Sequence, residues 1–203
     1  MIKKLLILTI LMLFLTGCQP AEVEEVEKMP EKGKILLIVS QKDYQPKEYA
    51  DTRSELEAAG YSVDVASITT DTATAADGST LAPDLAVKDA NIDDYKAVAL
   101  IGGPGALSLG GHAEVLDLIK NTKDSGKIIA AICISPITLA KAGILSGKKA
   151  TVWTDAEKTQ AAELEQAGAE FVDEAVVQDG NIITANGPPA AKAFGKKIAE
   201  ALG

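Results

Sequence analysis

Histidine is all but missing from this 203-residue chain, which carries one, His112. Cysteine is nearly as scarce, with Cys18 and Cys133, and aromatic residues make up 4%. One histidine and one free thiol cannot build a zinc site, so no metal centre is expected. Neither a Walker loop nor a G-x-G-x-x-G pattern follows the first apolar run of the domain, so no nucleotide cofactor is expected either. Positive charge is short: 20 Lys and Arg against 29 Asp and Glu leave a formal net charge of −9, with Arg53 the single arginine. So acidic a chain is a poor partner for nucleic acid. Long apolar runs are lacking too. The leader run over residues 5–15 falls well short of the ~20 residues that a membrane-spanning helix needs.

That run follows a basic Met1-Ile-Lys-Lys4 and ends in Leu15-Thr-Gly-Cys18. A charged start, a short apolar stretch and small residues before a cleavage point suit a secretory signal. Leu-Thr-Gly-Cys resembles the lipobox of prokaryotic lipoproteins, in which the cysteine is lipidated and becomes the mature N-terminus. The resemblance implies a leader over residues 1–17, a lipid on Cys18 and attachment to the extracytoplasmic face of a cell membrane. An ordinary signal peptide or anchor that happens to hold a cysteine is the alternative. Residues 18–32 are rich in Glu, carry Pro20 and Pro30 and hold few large apolar side chains, so they read as an acidic tether. Residues 33–203 then make one domain, long enough for a substantial core. With Cys18 lipidated, Cys133 has no disulfide partner, and an unpaired thiol in an exported protein raises the odds of a reactive one.

From residue 34 onward, short apolar runs alternate with helical spacing. Lys34-Ile-Leu-Leu-Ile-Val-Ser40 is a continuous apolar strand of the kind covered on both faces. Helical spacing follows over residues 46–59 and stops at Gly60. Further strands are expected at 61–67, 96–101, 127–132, 149–153, 175–178 and 182–185, and further helices at 113–122, 136–142, 156–167 and 188–202. Residues 69–90, with Asp77-Gly78 as a turn signal, read as an excursion containing a small hairpin. Strands joined by crossover helices predict an α/β fold, its sheet mostly parallel with helices on both faces. Ligands on such sheets bind at the carboxyl ends of the strands.

One segment concentrates the chemistry. In Lys127-Ile-Ile-Ala-Ala-Ile-Cys-Ile-Ser-Pro136, Cys133 stands between a buried strand and a Ser-Pro pair that opens a helix. A thiol on such a turn is presented at the sheet edge, where the positive end of the helix dipole favours thiolate. A buried core cysteine fits the same local sequence.

Ala-Ala-Ile-Cys-Ile-Ser-Pro resembles the nucleophile-elbow motif of the ThiJ/PfpI superfamily. The loop Gly102-Gly-Pro-Gly-Ala106, the segment 149–153 and Asn186-Gly-Pro-Pro189 resemble that superfamily in order and approximate spacing. The resemblance spans residues 34–202. It implies a flavodoxin-like three-layer sandwich, related to class I glutamine amidotransferase domains, and a homodimer or higher homo-oligomer. It places the family cysteine at Cys133. It also places at Glu48 a glutamate whose protonated carboxyl hydrogen-bonds the sulfur. The chemistry is sound, since a carboxyl beside a thiolate in a poorly solvated pocket has its pKa raised. The other reading of Glu48 is a first-turn glutamate that complements the helix dipole. The amides of Gly103 and Ile134 are expected to form an oxyanion hole. Trp153 either roofs the pocket or is a core aromatic at a strand end. Asp43 and Glu55 read as surface carboxylates, and Arg53 as half of a surface ion pair.

The chain also departs from the pattern it resembles. Protease-like members place a histidine directly after the cysteine, where this chain has Ile134; others supply one from the strand that ends here at Trp153. His112 reads as a surface or capping residue. With no Cys–His dyad, and Glu48 the one nearby acid for an amine leaving group, peptide hydrolysis is not expected. Three functions stay open. The first is a Cys133-dependent enzyme acting on small reactive carbonyls or their adducts, of glyoxalase or deglycase type. The second is a redox-responsive protein whose thiolate is oxidised beside Glu48. The third is a non-catalytic binding module of the cell envelope.

Overall fold

The spine of the domain is the run of apolar residues that follows Gly33. A computed structural model describes residues 32–203; the expected leader, Cys18 and the tether up to Glu31 lie outside the described residues. Strand β1 (Lys34–Ile38) alternates its side chains across the sheet, so Ile35 and Leu37 enter one core while Leu36 and Ile38 enter the other. Both faces are therefore covered, which is why the sequence reads as an unbroken apolar run.

In chain order β1 is followed by β2 (Lys42–Tyr44), α1 (Pro46–Ala58), β3 (Ser62–Ser67), β4 (Ala73–Ala75), β5 (Thr80–Leu81), β6 (Leu85–Ala86) and β7 (Tyr95–Leu100). Then come α2 (Ala113–Asp124), β8 (Ile128–Ile132), α3 (Pro136–Lys141), β9 (Lys149–Ala150), α4 (Thr159–Gln166), β10 (Glu170–Phe171), β11 (Val176–Asp179), β12 (Ile182–Ala185) and α5 (Ala191–Leu202). The main sheet runs β11-β12-β8-β7-β1-β3-β6, and every pairing in it is parallel except β11 with β12. Helices α1 and α5 bring Leu56, Phe194 and Ile198 to one face; α2, α3 and α4 bring Val115, Ile119, Leu139 and Leu164 to the other. The result is a three-layer α/β sandwich of flavodoxin type.

Strand order decides where a site can form. The chain runs outward from β1 to β3 and β6, then returns to β7 on the opposite side of β1. Loops leaving β1 and β7 therefore part in opposite directions and open a crevice at their carboxyl ends. Among the described residues no helix is long and apolar enough to cross a membrane.

Four local expectations are corrected. Residues 149–153 pair as a strand only at Lys149 and Ala150, against Glu170 and Phe171 and outside the main sheet. Beyond them the backbone donors turn elsewhere: Thr151 N–H goes to Thr184 Oγ1 at 2.9 Å, and Trp153 N–H to the Cys133 carbonyl at 2.8 Å. The helix expected over 156–167 begins at Thr159, because Lys158 is left-handed (φ 56°) and Asp155 caps Thr159 N–H at 2.7 Å. The last helix is preceded by a 3-10 turn at Pro188–Ala190, where two prolines supply no donors. The excursion holds its hairpin, β4 with β5, and also sends β6 back to edge the main sheet beside β3.

Candidate active site

Three loop ends meet at the crevice, and each carries one part of the site. Strand β8 is buried throughout and delivers Cys133 at its carboxyl end. There the backbone turns left-handed, with φ 63°, one of three such non-glycine residues among those described. For an L-residue this conformation costs about 1–2 kcal/mol. Neighbouring bonds hold it: Cys133 N–H donates to the Ala185 carbonyl at 2.8 Å, and the Ser135 hydroxyl to the Ile101 carbonyl at 2.8 Å. Ser135 is fully buried and pins the elbow to the end of β7.

Glu48 comes from the first turn of α1. Gln45 caps that helix, its side-chain oxygen accepting Lys47 N–H at 3.3 Å, and Pro46 occupies the first helical position, where a missing N–H costs nothing. The start of α1 is then locked to the loop after β7 through both backbone groups of Gly102. Its carbonyl accepts Gln45 N–H at 2.8 Å, and its N–H donates to Glu48 Oε2 at 3.0 Å. Glu48 is buried, and its other oxygen, Oε1, is buried with no hydrogen-bond partner of regular geometry. The Cys133 thiol is in polar contact with this carboxyl, and the amides of Gly103 and Ile134 face the sulfur.

The glycines of this loop are steric requirements. A Cβ on Gly102 would lie 2.6 Å from Glu48 Oε2 and nearer still to the Cys133 Cβ. Gly103 has φ 113° and packs against the backbone of Asp43 to Gln45. Asp43, expected as a plain surface carboxylate, thus has a structural part: its left-handed backbone (φ 55°) turns its carbonyl toward Gly103. Substituting Gly102→Ala is expected to cost about 1–3 kcal/mol in chemical denaturation, and to slow alkylation of Cys133. An unchanged midpoint with unchanged alkylation would contradict the packing described.

Cys133 and Glu48 titrate as one unit. Burial raises Glu48 from 4.5 to about 7, against the opposing pull of the thiol and of Gly102 N–H. Burial and then the Glu48 charge push the Cys133 thiol up from 9.0 to about 12, against the pull of the Gly103 and Ile134 amides. The dipole-favoured thiolate expected from the elbow alone is therefore outweighed by desolvation. Two anions side by side are excluded, so the pair carries one negative charge from about pH 7 to about 12. Which atom bears it decides reactivity.

A stability effect follows with definite sign. The folded state binds the Glu48 proton more tightly than the unfolded chain, so this contribution is complete below about pH 4.5. It is lost as pH rises through about 7. Its size is about 3 kcal/mol. Unfolding free energies of the wild type and Glu48→Gln are expected to converge or cross by that amount between pH 4.5 and 7; parallel curves would refute it. The pair's second proton, lost at about pH 12, bears on stability only above about pH 9 and leaves this window alone.

Above the pair lies a cleft of ≈ 450 Å³ lined by Gln45, Gly103, Pro104, Leu107, Cys133, Ile134, Trp153 and Pro188. The structure thus brings Cys133, Glu48, Gly103, Ile134 and Trp153 together. Trp153 is 42% exposed at the rim and is no core aromatic. His112 stands apart at the start of α2, its Nδ1 3.5 Å from Glu114, and does not line the cleft. Arg53 pairs with Glu57 at 2.7 Å and donates to Tyr49, away from the sulfur. Among the described residues no group of three or more His, Cys, Asp or Glu is placed to hold a metal. The sequence reading gave Gly102, Gln45 and Ser135 no part in the site. Their signals were present, in the first glycine of the loop, the residue before Pro46 and the serine before Pro136.

The DJ-1/PfpI family pattern matches residues 33–201. The chain belongs to the DJ-1/PfpI family. It is 33% identical over 201 residues to an uncharacterised protein of Methanocaldococcus jannaschii, covering 98% of this chain and 97% of that one. A glutathione-independent glyoxalase of Caenorhabditis elegans is 29% identical, over 86% of this chain and 91% of its own length. The deglycase PfpI of Pyrococcus furiosus is 27% identical, over 75% and 90%. Among solved structures, a ThiJ/PfpI domain protein of Brachyspira murdochii superposes with a TM-score of 0.80 at 29% identity, covering 85% of this chain and 98% of that one. Drosophila melanogaster DJ-1beta gives 0.77 at 32% identity, over 84% and 90%. This DJ-1/PfpI domain therefore has glyoxalase and deglycase relatives.

Proposed function

We propose that this protein is a Cys133-dependent enzyme acting on small reactive carbonyls or their adducts, of glyoxalase or deglycase type, and not a peptidase. The carrying observation is the buried Glu48 carboxyl in polar contact with an elbow cysteine at the floor of a small cleft. Glu48 Oε2 already accepts an N–H, so a proton on this carboxyl belongs on the unpartnered Oε1. The mechanism places the pair's single negative charge on sulfur, where the Gly103 and Ile134 amides favour it against the burial that holds the thiol's titration up.

On a 2-oxoaldehyde the sulfur adds to the aldehyde carbon: the C–S bond forms and the C=O π pair moves to oxygen, within reach of the two amides. Glu48 gives its proton to that oxygen. As a carboxylate it then takes the aldehyde-derived C–H proton and returns it to the neighbouring carbon, while the adduct's hydroxyl proton passes to the former ketone oxygen. Water cleaves the resulting 2-hydroxyacyl thioester, releasing the hydroxy acid and the thiol. One carbon is oxidised and its neighbour reduced, so the overall change is addition of water and needs no external redox partner. Amide hydrolysis would need an acid for the amine, and no histidine lines the cleft to share that task with Glu48. Incubation of the purified protein with methylglyoxal, followed by lactate formation, tests the reading; no lactate above the buffer rate would sink it.

The proposal includes a lipid on Cys18 that holds the domain at the extracytoplasmic face of the membrane, and a homo-oligomeric state. The motif Leu15-Thr-Gly-Cys18 and the acidic segment behind it support the anchor. Metabolic labelling with a fatty acid, expected in the wild type and lost in Cys18→Ala, tests it. Size-exclusion chromatography with light scattering tests the oligomer.

A further inference from the structure

We propose that the cleft selects uncharged carbonyl compounds bearing an aryl or branched-alkyl group and rejects those bearing a carboxylate, with Trp153 and Leu107 as the specificity-determining surfaces. The inference rests on the carbonyl reading above and names its substrate class.

Trp153 and Leu107 are the two large apolar side chains that stay open among the described residues, 42% and 40% exposed, and both line this one cleft. Pro104, Ile134 and Pro188 continue the apolar wall. The indole is set in place by its own backbone, whose N–H donates to the Cys133 carbonyl at 2.8 Å. Gly187, at φ 133°, leaves that side of the ring clear; a Cβ there would sit 3.5 Å from Trp153 Cδ1. An aromatic or branched group next to the reacting carbonyl would therefore meet apolar surface within reach of the sulfur.

Charge argues the same way. None of the lining residues is Lys, Arg or His. Cys133 lines the floor with the buried Glu48 behind it, and the pair is anionic above about pH 7. A ligand carboxylate would lose water, meet no cation and face a like charge. Gln45 is the neutral exception: its side-chain oxygen is engaged by Lys47 N–H, which leaves its NH₂ free to donate to a second carbonyl oxygen.

The test compares phenylglyoxal, methylglyoxal and 4-carboxyphenylglyoxal as substrates, alongside alkylation of Cys133 by iodoacetamide and iodoacetate. For kcat/KM, phenylglyoxal is expected to exceed its carboxylated analogue by about 100-fold and methylglyoxal by about 10-fold. Trp153→Ala lowers the phenylglyoxal-to-methylglyoxal ratio about 10-fold, and Trp153→Arg narrows the gap to the carboxylated analogue. Iodoacetamide outpaces iodoacetate at Cys133 by at least about 10-fold more than it does at free glutathione. Equal handling of the charged and neutral substrates, or an alkylation ratio equal to that of glutathione, overturns the proposal. If no carbonyl is turned over while the alkylation ratio holds, the enzymatic reading fails and the selectivity of the cleft stands.

Discussion

Cys133→Ser is expected to lower methylglyoxal turnover by at least about 1,000-fold while the fold survives. Serine differs from cysteine by one atom, keeps the hydrogen bond from its N–H to the Ala185 carbonyl, and leaves a hydroxyl for the Gly103 and Ile134 amides. It creates no sizeable cavity, so the melting temperature is expected to stay within a few degrees of wild type. The chemistry is different. A hydroxyl is far less acidic than a thiol, so no alkoxide forms beside this carboxyl, and no histidine lines the cleft as an alternative base. Turnover within about tenfold of wild type would place the reaction elsewhere. Full loss together with unfolding would leave the nucleophile unproved, so far-UV circular dichroism belongs beside the kinetics. Peroxide treatment of the wild type separates the redox function: a gain of oxygen on Cys133 with no carbonyl turnover would favour it.

Glu48→Gln is expected to cut kcat about 100- to 10,000-fold with less change in KM. Glutamine keeps the shape and accepts Gly102 N–H as Glu48 Oε2 does at 3.0 Å, so the tie between α1 and the loop after β7 is preserved. What it lacks is a proton that can leave and return. In the proposed path Glu48 protonates the adduct and then carries a proton from one carbon to the next, and an amide can do neither. Because the variant removes a buried titrating group, it is also expected to be at least as stable as wild type above pH 7. A merely structural glutamate predicts the reverse, with activity little changed and stability reduced.

The sequence carried the frame of this molecule and lost parts of its periphery. Strands β1 and β8 were legible because burial on both faces turns them into unbroken apolar runs, and Cys133 because it interrupts such a run just before Ser135 and Pro136. Glu48 could be placed only through resemblance, since its burial depends on Gly102 arriving from another loop. Residues 149–153 looked like a strand for want of any local sign that Thr151 would donate to Thr184 and Trp153 to Cys133. Trp153 shows the limit most plainly: aromatic residues at strand ends are commonly core, and only the gap between the loops after β7, β8 and β12 leaves this one open. Strand β6, two residues long, offers no periodicity to read.

The central claim is that the single charge of the Cys133–Glu48 pair rests on sulfur. The rate of Cys133 alkylation by iodoacetamide, followed by mass spectrometry from pH 5 to 11 in the wild type and in Glu48→Gln, tests it most directly. The account predicts a wild-type midpoint at about 7, where the pair loses its first proton, and a midpoint above 9 in the variant, where a buried thiol titrates without a carboxyl to share its proton. A wild-type midpoint above 9 would put the charge on Glu48, leave Cys133 a protonated thiol at neutral pH and contradict the mechanism.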